Sequence, residues 1–402
     1  MEYGKRILRI LKEFRNKKYY VKNYFVKNEI LIFDDIMPSI LSPWRAIEFE
    51  ALCHNFKKVK VLTDLRTFDQ YNKGLNFNRN IINLKKTYPN LSSNITKIGT
   101  INNVYSKLIY FIFFSNTCMY YEIAEENKTN FAFTLYPGGG FLLNHKGTDE
   151  MLKKIFSSKF FKGVIVNQFH VKDYLISKNL CEADKVHLIF GVPMNTNISI
   201  LKDHPKDKFE SNLNIVFFAN KYIEKGKDKG FDVFQQTASL LIKRTKNVIF
   251  HVIGNFDAND LEDTSVLEYF NFYGVLTEIE YVEILKKTNI ILCPNKPFVL
   301  HPNSFDGFPL ATCIEASLND NVIMATDYFN ESSKIKLVDN RDFMLVNSNP
   351  SDILEKIIML DNNRNMLKKI AMSGKERILD IYSIEKQIKK RTQIFEELLA
   401  DS

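Results

Sequence analysis

The sequence predicts an α/β protein built as two doubly wound domains, and three observations predict it. Short apolar runs rich in β-branched and aromatic residues alternate with longer amphipathic stretches along the chain, which is the pattern of βα units on a parallel sheet. The length of 402 residues exceeds what one core commonly holds and favours two domains. A polar, charged stretch from Asn195 to Asn214, containing Lys202-Asp-His-Pro-Lys-Asp207, separates two such series, and a new strand begins directly after it. The expected plan is a first domain over residues 1–194, a linker over 195–213, a second domain over 214–380 and a C-terminal helix over 381–402. A surface loop within one domain is the plainer alternative for the linker.

The first half offers strands at Glu29–Phe33, Lys58–Leu62, Phe131–Leu135 and Gly163–Val166. The second offers Asn214–Phe218, Val248–Ile253, Asn289–Cys293 and Asn321–Ala325, with helices expected over Val233–Leu241 and Glu280–Lys287. Ile384 to Leu399 reads as an amphipathic helix able to return to the first domain. No fixed short repeat and no low-complexity tract interrupts this plan.

Hydrophobic residues make up 45% of the chain, ample for globular packing, and the formal net charge of +8 suits an anionic small molecule, a nucleic acid or an acidic membrane surface. No basic-aromatic surface motif accompanies the charge, so nucleic acid is not an expected partner. The five cysteines, Cys53, Cys118, Cys181, Cys293 and Cys313, are scattered without metal-ligand spacing and read as reduced thiols of a cytoplasmic protein. The N-terminus has no signal-peptide h-region, and the apolar run Leu108–Phe114 is far shorter than the ~20 residues that span a bilayer. Lys5, Arg6, Arg9, Lys12, Arg15, Lys17, Lys18, Lys22 and Lys27 crowd the first residues against only Glu2 and Glu13. Two readings stand for them: peripheral attachment to an anionic membrane surface, or a leading helix with solvated lysines.

Loops after the strands of an open α/β sheet carry its ligand chemistry. After Phe218 comes Ala219-Asn-Lys-Tyr-Ile-Glu-Lys-Gly-Lys-Asp-Lys-Gly-Phe-Asp232, a glycine-bearing cationic loop with Lys221 and Lys229, leading into a helix. Such a loop can bring ammonium groups and a helix N-terminus to a diphosphate, although a lysine-rich turn is more often merely solvated. Further along come Gly254-Asn255, Tyr273-Gly274-Val275, Pro294-Asn295 and the segment Pro302-Asn-Ser-Phe-Asp-Gly-Phe-Pro-Leu310, followed by an apolar stretch with Glu315. The last segment places an acidic residue and a glycine after a buried strand, proline at the expected first helical position, and a second carboxylate one turn into the helix. The plain alternative is a turn at Asp306-Gly307 and a surface position for Glu315.

This ordered set, over residues 160–350, resembles the second domain of family 4 glycosyltransferases of the GT-B fold. The resemblance implies two Rossmann-like domains facing a central cleft. It also implies retaining transfer of a hexose-type sugar from a nucleotide-diphosphate-sugar donor to a glycan, lipid-linked or other hydroxyl acceptor. By position, Glu315 would bind the donor ribose and Asp306 would lie beside the transferred sugar, with Gly307, Phe308 and Leu310 turning backbone amides towards the diphosphate. Lys229 and Lys221 match the family's phosphate-binding cations, Tyr273, Gly274 and Val275 flank the base, and Gly254 and Asn295 line the donor site. Asp306 and Glu315 are nine positions apart, one more than the family's usual acidic pair, whose first member is Glu. Asn220-Lys221 replaces the usual Gly-Arg, exchanging a bidentate fork for a point charge.

The first domain says less. Asp34, Asp35, Trp44 and Arg45 follow its first strand, and Gly138, Gly139 and Gly140 allow close backbone approach to a ligand or a tight turn. By resemblance Arg45, Asp35 and the three glycines stand on the acceptor or sugar side. His145 and the segment Asn167–His170 are further cleft-lining candidates. No Asp-x-Asp motif occurs, so neither a metal nor another cofactor is expected, and charge on the leaving diphosphate would fall to Lys221, Lys229 and the helix after Pro309. The implied setting is bacterial surface polysaccharide assembly, in the cytoplasm or at the inner face of the membrane. A non-catalytic GT-B subunit that binds glycan is the rival from another class. A nucleotide-sugar epimerase is the rival among enzymes, but it needs an acid/base pair that the sequence does not display.

Overall fold

A computed structural model describes residues 28–70, 72, 74–98, 106–196 and 208–400. The basic N-terminal segment and most of the expected linker lie outside these residues. The chain divides into two compact units, one of Met1–Pro193 with Asn303–Phe305 and Glu385–Ser402, the other of Met194–Pro302 with Asp306–Ile384.

The first unit runs β1 (Asn28–Asp34), α1 (Pro43–Asn55), β2 (Val59–Thr63), α2 (Phe77–Thr87), α3 (Pro89–Asn94), β3 (Ile95–Lys97), β4 (Ser106–Ile112), α4 (Phe113–Glu126), β5 (Asn130–Leu135), α5 (Lys146–Phe156), β6 (Phe161–Val166), α6 (Phe169–Ser177) and β7 (Val186–Leu188). The second runs β8 (Leu213–Phe218), α7 (Phe231–Leu241), β9 (Val248–Ile253), β10 (Phe270–Phe272), α8 (Glu278–Leu285), β11 (Ile290–Cys293), α9 (Ala311–Leu318), β12 (Val322–Ala325), α10 (Glu331–Lys334), β13 (Met344–Leu345), α11 (Pro350–Asn362) and α12 (Arg364–Tyr382). The last helix is α13 (Ile384–Ala400).

Both sheets are parallel throughout, in the orders β3-β2-β1-β4-β5-β6-β7 and β10-β9-β8-β11-β12-β13. Each order reverses once, between β1 and β4 in the first unit and between β8 and β11 in the second. These are the topological switch points at which doubly wound sheets bind ligands.

Strands buried on both faces read as continuous apolar runs, which is why most central strands were legible. The apolar run Leu108–Phe114 was not among the expected strands, yet it forms β4, the middle strand of the first sheet, and the start of α4. The expected helix start at Glu280 moves back to Glu278, because Glu280 reaches back to the amide and hydroxyl of Thr277 at 2.7 and 2.8 Å and closes the first turn there. Likewise α7 starts at Phe231, two residues ahead of the expected position. Pro309 does not open α9. Leu310 caps that helix and Ala311 is its first residue, with a cis bond joining Phe308 to Pro309.

Each unit has its own core. Phe217, Phe231, Phe234, Phe250 and Phe256 bury their rings between β8, β9 and α7, each worth about 1.5–3 kcal/mol against exposure. In the first unit Ile30, Ile32, Leu108 and Tyr110 pack under α13, whose Phe395 meets the Tyr110 ring edge-on at 4.9 Å. A buried polar lock holds the same helix. Arg391 Nε lies 3.3 Å from Glu48 Oε2, and the Glu48 carboxylate also accepts hydrogen bonds from the hydroxyls of Tyr136, at 3.1 Å, and Tyr110.

Candidate functional site

The second sheet's switch point gathers the loops that the sequence singled out. The loop after β8 turns through Lys225 and Gly226, both at positive φ, and ends on Gly230 at φ +75°. A Cβ at Gly230 would stand 2.2 Å from the Pro294 carbonyl oxygen, so glycine is required where this loop crosses the loop after β11. Gly254 answers the same need on the other side: its Cβ would stand 1.8 Å from the Ala219 carbonyl oxygen. Its amide donates to Gly274 at 2.9 Å, drawing the loops after β8, β9 and β10 together.

This crossing brings Lys229 to Asp306, 77 residues away in sequence. Lys229 Nζ donates to both carboxylate oxygens at 2.8 and 2.7 Å, and Asn295 Nδ2 donates to the second of them at 2.7 Å. Burial works against the charge on Lys229, but Asp306 and then Asp228 outweigh it and raise its pKa above the ordinary lysine value. Asp228, 3.9 Å from the ammonium, is itself pushed up by burial, against the pull of Lys229. The structure thus unites Lys229, Asp306 and Asn295 around one buried cation.

Lys221 is placed elsewhere. Its Nζ donates to both oxygens of Asp260 at 2.8 and 2.7 Å, and its backbone amide is held by Asn255 Oδ1 at 2.5 Å. Nothing in the sequence marks Asp260 as its partner. Tyr273 lies parallel to His251 with its hydroxyl 2.8 Å from Nδ1, while Gly274 sits at positive φ with open space around it and Val275 is exposed. The Phe308 ring is buried edge-on against Phe343, leaving only its backbone, with Gly307 and Leu310, for contacts at the start of α9.

Glu315 projects from the fifth position of α9 and is only 6% exposed. Its Oε1 is buried without a hydrogen-bond partner. Burial pushes the carboxyl up to about 8, the charge of Glu278 adds to the rise, and a hydrogen bond with Tyr281 opposes it. Glu278, the first residue of α8, escaped the sequence reading. It too has a buried Oε1 without a partner, and burial pushes it up to about 7 against a hydrogen bond with Asn195. Beside this site, across Asn295, a cavity of about 570 Å³ opens at the ends of β11, β12 and β13, with Asp327, Tyr328, Asn347 and Lys356 in its wall.

The first sheet's switch point carries its own cluster. Arg45 Nη1 lies 2.8 Å from both Asp34 and Asp35, and Thr67 Oγ1 donates to Asp35 at 2.9 Å. Burial raises Asp35, but Arg45 and then Arg66 overcome it and bring the carboxyl to about 2. Arg45 and Asp35, expected on the acceptor or sugar side, are buried against each other, with the Arg45 guanidinium 4.7 Å from the Phe113 ring centroid. Gly138, Gly139 and Gly140 all have positive φ. A Cβ on Gly139 would meet Phe113 Cδ1 at 2.5 Å, whereas Gly138 and Gly140 face open space. Gly139 therefore serves packing, and its two neighbours keep backbone accessible.

Comparison with solved structures identifies the architecture. HepE of Anabaena, solved in complex with UDP, superimposes with a TM-score of 0.64 at 11% identity, covering 92% of this chain and 100% of that one. The fold is that of the GT-B glycosyltransferases. A glycosyltransferase from Rickettsia africae matches at TM-score 0.64 and 15% identity over 94% of this chain and 100% of its own. Sucrose-phosphate synthase of Thermosynechococcus elongatus matches at 0.66 and 13% over 94% and 100%. No protein-family profile matches the chain, and no curated protein sequence does. Among the described residues, no helix is long and apolar enough to cross a membrane.

Proposed function

We propose that the protein is a glycosyltransferase that moves a sugar from a nucleoside-diphosphate sugar to a hydroxyl acceptor, with retention at the anomeric carbon. The observation that carries this reading is the cluster of Lys229, Asp306 and Asn295 at the switch point of the second sheet, followed in the chain by helix α9 with its buried carboxyl Glu315. The fold is shared with HepE, whose structures include complexes with UDP and with UDP-glucose.

In this reading the bond between the anomeric carbon and the diphosphate breaks as the acceptor oxygen bonds to that carbon, and the acceptor's proton passes to the oxygen of the departing diphosphate. Charge then builds on the departing diphosphate. Lys229, kept protonated by Asp306, and the backbone amides at the start of α9 supply positive charge where it develops. Glu315 accepts hydrogen bonds from the donor ribose, and Asp306 stands at the sugar end. Lys221 holds the loop after β8 through Asp260 and contributes to the field from farther off. The acceptor is a glycan or a lipid-linked or other hydroxyl compound, and the setting is assembly of a bacterial surface polysaccharide.

Calorimetric titration with UDP, GDP and ADP and their glucose conjugates tests the donor site. At least one is expected to bind, and Glu315→Ala and Lys229→Ala each to weaken it by about tenfold or more, the loss of a hydrogen bond to a charged group. Absence of binding by all of them, or undiminished binding in both variants, sinks the proposal.

A further inference from the structure

We propose that Glu278 is a specificity-determining residue: with Glu315 it forms a two-carboxyl clamp on the vicinal hydroxyls of the donor's ribose, so that this protein discriminates ribonucleotides from deoxyribonucleotides through a pair of acids. The inference rests on the donor-site reading above and extends it to a residue on a different helix.

The geometry is unfavourable for the ligand-free protein and favourable for a diol. α8 and α9 pack against each other, and each turns one acid into the same neighbourhood, Glu278 from the first residue of α8 and Glu315 from the second turn of α9. Each has one buried carboxyl oxygen with no partner. Glu315 is more than nine-tenths buried. Buried polar atoms are nearly always satisfied, and two acids facing each other without a cation raise the cost of leaving them so. A structural role would bring a cation or a second hydrogen bond. What faces Glu315 is Glu278 and Tyr281, both from α8, and what faces Glu278 is Asn195. Tyr281 and Asn195 fix the two carboxyls, and the orphan oxygens remain as acceptors.

A pair of adjacent hydroxyls offers two donors at matching separation. A divalent cation is the other ligand that two carboxylates attract, but among the described residues no third Asp, Glu, His or Cys joins them. The exposed Val275 and the open Gly274 lie on the turn that leads into α8, so a base held there places its ribose towards the first residue of that helix.

The arrangement also couples binding to protons. Both acids titrate well above the ordinary carboxyl range, burial being the larger cause and their mutual repulsion the next for Glu315. Hydroxyls donate to the ionised form, so binding a diol releases a proton, and affinity rises as pH climbs through about 7 to 8. Replacing Glu278 by Gln removes the repulsion and moves this rise to lower pH.

The test is titration of the full chain with UDP and 2′-deoxy-UDP, GDP and 2′-deoxy-GDP, and ADP and 2′-deoxy-ADP, read as the ribo-to-deoxy affinity ratio between pH 6 and 9. Ionisation of base and diphosphate cancels in that ratio. The wild type is expected to favour the ribonucleotide by about tenfold, with the preference growing as pH rises. Glu278→Gln is expected to reduce the preference to within about twofold and to shift its pH midpoint down, while pyrophosphate binding stays unchanged. A Glu278→Gln variant that folds, binds UDP and keeps the wild-type ratio at every pH overturns the clamp and leaves the donor site standing. Failure of the wild type to bind any of the six nucleotides overturns both.

Discussion

At the scale of single residues, the second unit stores charge in unusual places, and Lys208 is the clearest case outside the candidate site. It is buried, and its Nζ donates to the backbone carbonyls of Asn319 at 2.6 Å and Leu285 at 3.4 Å. Burial pulls its pKa down to about 7, against the attraction of Asp320 and with a smaller push from Lys375. The unfolded chain holds this proton up to the ordinary lysine range, so between pH 7 and about 10 unfolding takes up a proton and stability rises with pH. Below pH 7 both states are charged and the gain is gone. Asn321 Nδ2 also donates to both carbonyls, at 2.8 and 3.0 Å, so Lys208→Met leaves them satisfied. Urea midpoints from pH 6 to 9.5 should climb more steeply in the wild type than in Lys208→Met, and parallel profiles would refute the assignment. Most of the pairings around the candidate site are of this hidden kind. The lysine loop and Asp306 stood out in the sequence, but their separation of 77 positions concealed that Lys229 and Asp306 share an ion pair. Glu278 was concealed more thoroughly, because a Thr-x-x-Glu start reads as an ordinary capped helix until α9 is seen beside it.

At the scale of elements, α13 shows how a distant segment becomes part of a core. It lies in the first unit although the whole second unit intervenes in sequence. Its amphipathic pattern was legible, and so was the possibility of a return. The means of attachment was not, because Arg391, Glu48 and Tyr110 come from three separate elements and Tyr136 from the loop after β5. Gln387 adds a bond from Nε2 to the Phe190 carbonyl at 2.8 Å. Arg391→Ala strands the fully buried Glu48 without its cation, and such a loss costs about 3–5 kcal/mol. Chemical unfolding should show this destabilisation. A loss under 1 kcal/mol would mean that Glu48 is satisfied by the two tyrosines alone. The shortest strands were missed for a related reason: β7, β10 and β13 span three, three and two residues, too few for any periodic signal, and exist because a longer neighbour offers them a ladder.

For the whole molecule, two sheets with separate cores predict separable unfolding. Calorimetry of the full chain should resolve two transitions. Arg391→Ala should lower only the one belonging to the first unit. A bound nucleotide should raise only the other, by a stabilisation of about 2.7 kcal/mol at a hundredfold excess over its dissociation constant. A single transition displaced by both treatments would contradict the assignment of the lock and the nucleotide to different cores. Net charge belongs to this scale as well. The excess of +8 favours anionic ligands in general, and it takes the buried Lys229 and its surroundings to give that preference a place.

The sequence alone determined the class of the fold, the central strands of the second sheet, most of those of the first and the loops at the second switch point, because burial on both faces and glycine-rich turns leave local marks. Tertiary structure alone decided which charges meet. It paired Lys229 with Asp306 and Lys221 with Asp260, turned Arg45 and Asp35 inward against each other, and set Glu278 beside Glu315. Apolar patterning is imposed residue by residue by the solvent, and so is written along the chain. An ion pair or an orphaned carboxyl is a property of two helices or loops brought together, and its partners can lie anywhere in the sequence.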